Sequence, residues 1–64
     1  MKVNEKKFDC IMGNAVCSVK ELSKKTGIAE ATIVRIKSGN QEGRPTTLGK
    51  IAKALGVKIE DFID

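Results

Sequence analysis

At 64 residues the chain holds one small domain, which buries only about 60% of the surface its unfolded form exposes, and it has no room for a catalytic cleft beside its core. Twelve Lys and Arg face eight Asp and Glu, a net charge of +4 that is compatible with a polyanionic partner without demanding one. With no His there is neither an imidazole base nor enough ligands for a zinc site, so no enzyme, metal or cofactor is expected.

The N-terminal run Met1-Lys2-Val3-Asn4-Glu5-Lys6-Lys7 is charged and lacks the apolar stretch of a secretory signal. No segment approaches the ~20 apolar residues that span a bilayer. These features predict a cytoplasmic protein, with no membrane partner, in which Cys10 and Cys17 are reduced and serve as small apolar fillers. Phe8, Ile11, Met12 and Ala15 fall at i, i+3, i+4 and i+7, one face of a first helix that Asn4 is placed to cap. Gly13 within it costs roughly 1 kcal/mol of helix propensity relative to Ala, which points to close packing or an early end.

Ser18-Val19-Lys20-Glu21 is an S-x-x-E capping box. It opens a short second helix through about Lys25, ended by Thr26-Gly27, with Ile28 as the apolar plug of the turn. A third helix is expected over Glu30–Lys37, with Ile33 and Ile36 inward and Ser38-Gly39 closing it. Asn40 to Gly43 reads as a polar, mobile loop. Pro45 suits the first turn of a fourth helix whose apolar stripe is Leu48, Ile51, Ala52 and Leu55, and Gly56 ends it. Val57, Ile59, Phe62 and Ile63 make a brief last turn or helix. The expectation is an all-α bundle of five short helices without strands, a single domain over 1–64. Its helix-turn-helix lies at about 18–39 and its last two helices at about 46–63.

A capped short helix, a Gly-containing turn and a second short helix form the supersecondary unit that reads DNA. The second helix must project into a major groove about 12 Å wide while the first crosses behind it. Between Ser18 and Lys58 nine basic residues stand against Glu21, Glu30 and Glu42, so a nucleic-acid footprint belongs there.

Leu22, Gly27-Ile28, Thr32-Ile33, Arg35-Ile36 and Gly39, followed by Leu48-Gly49-Lys50-Ile51-Ala52-Lys53-Ala54-Leu55-Gly56-Val57, resemble the lambda-repressor/Cro-like family of helix-turn-helix regulators. The likeness runs from Phe8 to Ile63. Ala31–Ile36 also looks like the recognition helix of lac-repressor-type headpieces, but those lack a helix before the motif. The chain departs from the family pattern at several places. Val19 stands where a phosphate-gripping Gln often opens the second helix. Met12 and Lys37 occupy the places of a family Arg–Glu pair between the first and third helices, so both of its partners are missing. Ala29 offers no capping oxygen where Ser or Thr is usual.

The resemblance and the helical period together place Glu30, Ala31, Val34 and Arg35 against the bases. Arg35 suits guanine O6 and N7, or else a phosphate or solvent. Glu30 accepts from cytosine N4, or serves the helix N-terminus where negative charge is favourable. Ala31 and Val34 suit a thymine methyl, or simply allow close approach. Backbone contacts are expected from Lys20, Thr32, Lys37, Asn40, Gln41, Arg44 and Thr47, with the free amides around Thr46 and Thr47 available to a phosphate. Arg44-Pro45 matches a family element that holds the backbone at the start of the fourth helix. With no Trp or Tyr and two Phe at apolar periodic positions, a base-stacking reader of RNA or single strands is disfavoured. The implied function is a sequence-specific regulator of bacterial or phage origin, a repressor bound to duplex DNA. It is expected to be a weak homodimer, formed in the limit only on DNA, through Val57, Ile59 and Phe62. The family's domain finishes where the last helix does, which suggests a complete small regulator. The rival reading is a protein-interaction module, an antitoxin or adaptor on the same fold.

Overall fold

The computed structural model describes all residues from Met1 to Asp64. Four α-helices follow in order: α1 (Glu5–Ala15), α2 (Val19–Thr26), α3 (Glu30–Lys37) and α4 (Pro45–Leu55). The expected fifth helix is a single 3-10 turn, Ile59–Asp61, too short for α-helical bonding and closed by the Lys58 amide donating to Asp61 Oδ2 at 3.0 Å.

Capping chemistry sets most of the boundaries. Asn4 Oδ1 accepts from the Lys7 amide at 3.1 Å. At the start of α2 the Glu21 amide donates to Ser18 Oγ at 3.1 Å, and the Ser18 amide donates to Glu21 Oε1 at 3.3 Å, the reciprocal pair of a capping box. Ala29 makes no side-chain cap, and α3 starts instead on a tightened turn, with the amides of Thr32 and Ile33 sharing the Ala29 carbonyl at 3.0 and 3.1 Å. Pro45 occupies the first turn of α4, where its missing N–H breaks no bond.

The core is one cluster. Phe8 and Met12 of α1, Leu22 of α2, Ile33 and Ile36 of α3, and Leu48, Ile51, Ala52 and Leu55 of α4 are buried together with Val3, Cys17 and Phe62. The rings of Phe8 and Phe62 meet edge to face with centroids 5.4 Å apart, a geometry worth about 0.5–1.5 kcal/mol beyond its area. Cys17 behaves as the expected apolar filler, whereas Cys10 is exposed.

The N-terminal segment is tied down in a way the helical period did not indicate. Val3 forms an isolated antiparallel bridge with Ile63, and the Asn4 amide donates to the Phe62 carbonyl at 2.8 Å. Met1 and Gly43 exchange backbone bonds at 3.0 and 3.2 Å. The Asn40–Gly43 loop, expected to be mobile, is therefore fastened at its far end by Met1 and at its near end to α3.

Gly13 is neither crowded nor buried: a Cβ there would meet nothing within 4 Å, and α1 ends two residues later. Its closing residue is Val16, at φ +49° and 84% exposed. The Val16 amide donates to the Gly13 carbonyl and the Cys17 amide to the Met12 carbonyl, both at 3.1 Å, the bond pair that ordinarily recruits glycine. A β-branched side chain in this left-handed conformation costs roughly 1–2 kcal/mol. Val16→Gly removes that strain and loses no packing. It is expected to raise stability by about 0.5–1 kcal/mol after the entropy cost of glycine, read as a higher midpoint in urea with an unchanged slope.

Candidate nucleic-acid interface

The turn between α2 and α3 holds the motif's geometry. Gly27, at φ +75°, lets the chain reverse without a Cβ clash, and its amide donates to the Ser23 carbonyl at 2.8 Å. Side chains finish the turn. Ser23 Oγ donates to the Ile28 carbonyl at 2.6 Å, Thr26 Oγ1 donates to the Leu22 carbonyl at 2.8 Å, and the Ile28 amide donates to Thr26 Oγ1 at 3.2 Å. The sequence marks Thr26 only as part of the helix end and gives Ser23 no role. The signal available was their type, since hydroxyls near a helix end bond back to the backbone.

With Ile33 and Ile36 buried, α3 turns Glu30, Ala31, Val34 and Arg35 to solvent on one face. These are the four residues expected at the bases, and the structure brings them together. Val34 is one of three large apolar side chains left well exposed. Thr32 sits half-buried at the flank. Glu30, in the first turn of α3, has no ion-pair or hydrogen-bond partner for its carboxylate, and its charge lies where the helix dipole favours it.

Lys20 is exposed in the first turn of α2, Asn40 and Gln41 are exposed in the loop after α3, and Arg44 is exposed immediately before α4. Thr47 is half-buried in the first turn of α4. The first amide of α4 to find a helical acceptor is that of Leu48, on the Arg44 carbonyl at 2.9 Å, so those of Thr46 and Thr47 are open to an anion. Gly39, at φ +83°, folds the loop back so that the amides of Asn40 and Gln41 reach the Arg35 carbonyl at 3.0 and 3.2 Å. Arg35 Nε in turn donates to Gln41 Oε1 at 3.2 Å.

Two expectations are corrected. Lys37 does not join the exposed face: its Nζ lies 2.6 Å from Asp9 Oδ1 and 3.7 Å from Glu5 Oε2 of α1, and its side chain is only 22% exposed. An α1–α3 ion pair thus exists with the polarity opposite to the family's, its main acid one turn before Met12. The hydrogen bond to Asp9, helped by the charges of Asp9 and Glu5 against the opposing effect of desolvation, raises the Lys37 pKa above 10.5. Phe62, expected at a dimer surface, is fully buried against Phe8, because the last turn directs it inward. Val57 and Ile59 are half-exposed, and Val57 lines a shallow apolar groove of about 180 Å³ with Ile11, Ala15 and Leu55.

The chain matches the family of Cro/C1-type HTH DNA-binding domains over residues 7–64. It belongs to that family. It is also 43% identical over 42 residues to an uncharacterized HTH-type transcriptional regulator of Methanocaldococcus jannaschii, a match covering 66% of this chain and 64% of that relative. The chain thus spans a little under two thirds of the relative's length. No solved structure matches it. No helix is long and apolar enough to cross a membrane, and no group of three or more potential metal ligands occurs.

The Lys37–Asp9 pair is testable apart from DNA. A cycle of Lys37→Met and Asp9→Asn should give a coupling of about 0.5–1 kcal/mol in stability, the range for partly exposed pairs. A lysine whose folded pKa is raised contributes fully below its unfolded value of 10.5 and loses that contribution as pH climbs through the folded value. The coupling measured at pH 7 should accordingly vanish on titration above pH 10.5.

Proposed function

We propose that the domain is a sequence-specific transcriptional regulator that reads the major groove of duplex DNA with the exposed face of α3. The observation that carries this is the shared exposure of Glu30, Ala31, Val34 and Arg35 on a helix whose opposite face is locked into the core. Arg35 donates to guanine, Val34 and Ala31 meet a thymine methyl, and Glu30 either accepts from cytosine or serves its own helix end. Lys20, Arg44, Asn40 and the amides of Thr46 and Thr47 hold phosphates and set the helix in register. Family membership and the name of the relative support a regulatory role. Occupancy of a promoter would exclude polymerase, which makes repression the favoured sign.

Two copies joined in a weak dimer would place their recognition helices about 34 Å apart, one turn of DNA. With Phe62 in the core, the apolar surface left for that contact is the groove around Val57, with Ile59 and the exposed Val16 as further apolar side chains. Sedimentation over a concentration series should give a monomer alone and a two-to-one complex on duplex carrying an inverted repeat. A strictly one-to-one complex on every duplex would remove the dimer from this reading.

Arg35→Ala in a folded protein is expected to cost about 1–3 kcal/mol on the preferred site and to relax the preference at one base pair. Arg44→Ala should weaken binding to all sequences alike and lower the slope of log K against log salt by about one. If Arg35→Ala left affinity and preference intact in fluorescence titrations of matched and mutated duplexes, α3 would not be the reading helix.

A further inference from the structure

The loop after α3 does more than connect it to α4. The Arg35 carbonyl accepts from the amides of Asn40 and Gln41 and from Ser38 Oγ, at 3.0, 3.2 and 3.2 Å. The Gly39 amide caps Ile36 at 3.2 Å. Gly39 in the left-handed region, with the bonds from Gly39 to Ile36 and from Asn40 to Arg35, makes a Schellman ending. One consequence is that the Gln41 backbone is anchored to the same residue that its side chain touches. The second end of the loop is held by the Met1–Gly43 exchange. Gln41 Oε1 accepts from Arg35 Nε at 3.2 Å, and the other guanidinium nitrogens have no intramolecular acceptor.

A free arginine side chain loses extensive rotamer freedom when it grips a base, and that loss is subtracted from its affinity. An acceptor on Nε restricts the guanidinium before DNA arrives while leaving the Nη donors of the fork unused. A guanine edge asks for two parallel donors, from Nη alone or from Nη with Nε. With Nε already engaged, the terminal Nη pair is the fork that remains. We propose that Gln41 is a positioning residue for base recognition, holding Arg35 through Nε so that its terminal nitrogens are presented to guanine. This departs from the sequence-based expectation that Gln41 grips a phosphate, and it rests on the reading of Arg35 given above.

The test uses the full chain and a duplex library varied at every position of the preferred site. Gln41→Met keeps length and removes the acceptor, while Gln41→Glu keeps an acceptor. Both changes are at an exposed loop position, and thermal melts establish that each variant is folded. Gln41→Met should reduce discrimination for guanine over the other bases at the Arg35-dependent position by roughly three- to tenfold. The salt slope should stay unchanged. Gln41→Glu should retain the discrimination even where its charge lowers affinity for all sequences. In an Arg35→Ala background Gln41→Met should have no effect on base preference. Discrimination unchanged by Gln41→Met, a salt slope lowered by about one, or an effect that persists without Arg35 would each overturn the proposal. A wild-type preference that Arg35→Ala does not alter would instead overturn the reading of Arg35 itself, and the two failures are separable because each is read in its own variant.

Discussion

The angle between α2 and α3 decides which side chains the domain can present to a partner. It is set mainly by apolar contact, because Leu22, Ile33 and Ile36 are buried in the one core cluster and each such side chain contributes about 1.5–3 kcal/mol by leaving water. The hydroxyl bonds of Ser23 and Thr26 across the turn contribute less, on the order of 1 kcal/mol each, but they are directional and choose one turn geometry among those the core would accept. Once that angle is fixed, the period of α3 leaves no choice about which side chains face outward. α4 packs behind α2, and Met1–Asn4 pairs with both Gly43 and the C-terminal segment, so the loop that follows α3 is held by chain ends far away in sequence.

Local signals carried much of this architecture. The capping box at Ser18 and Glu21, Asn4 before α1, Gly27 and Gly56 after their helices and Pro45 at the start of α4 all act within one or two turns, and they mark the helix ends where the structure has them. The four apolar residues of α4 and the pair in α3 point inward as their spacing indicates. The four residues on the exposed face of α3 follow from the same period.

What was not legible depends on partners distant in the chain. Val3 is a lone apolar residue in a charged run, with no periodicity of its own, and its bridge partner Ile63 lies at the other terminus. The closing segment Val57–Ile63 is too short for its apolar residues to define a phase, so nothing local separated the buried Phe62 from half-exposed Ile59. Lys37 reads as a DNA backbone contact until α1 brings Asp9 and Glu5 beside it. That pair ties the Lys37 ammonium to α1, whereas Lys20, Arg35 and Arg44 are exposed and make no ion pair. The missing cap at Ala29 foregoes about 1 kcal/mol of helix stability, and the exposed carboxylate of Glu30 offsets part of it through the helix dipole.

Backbone amide chemical-shift mapping against a duplex carrying the preferred sequence would show which face of the domain meets DNA. If α3 reads the groove, the largest changes fall on Glu30–Arg35, on Asn40–Arg44 and on the amides of Thr46 and Thr47, while Glu5–Asp9 stay unmoved. Changes centred on α1 or on the groove around Val57, with α3 silent, would contradict that reading.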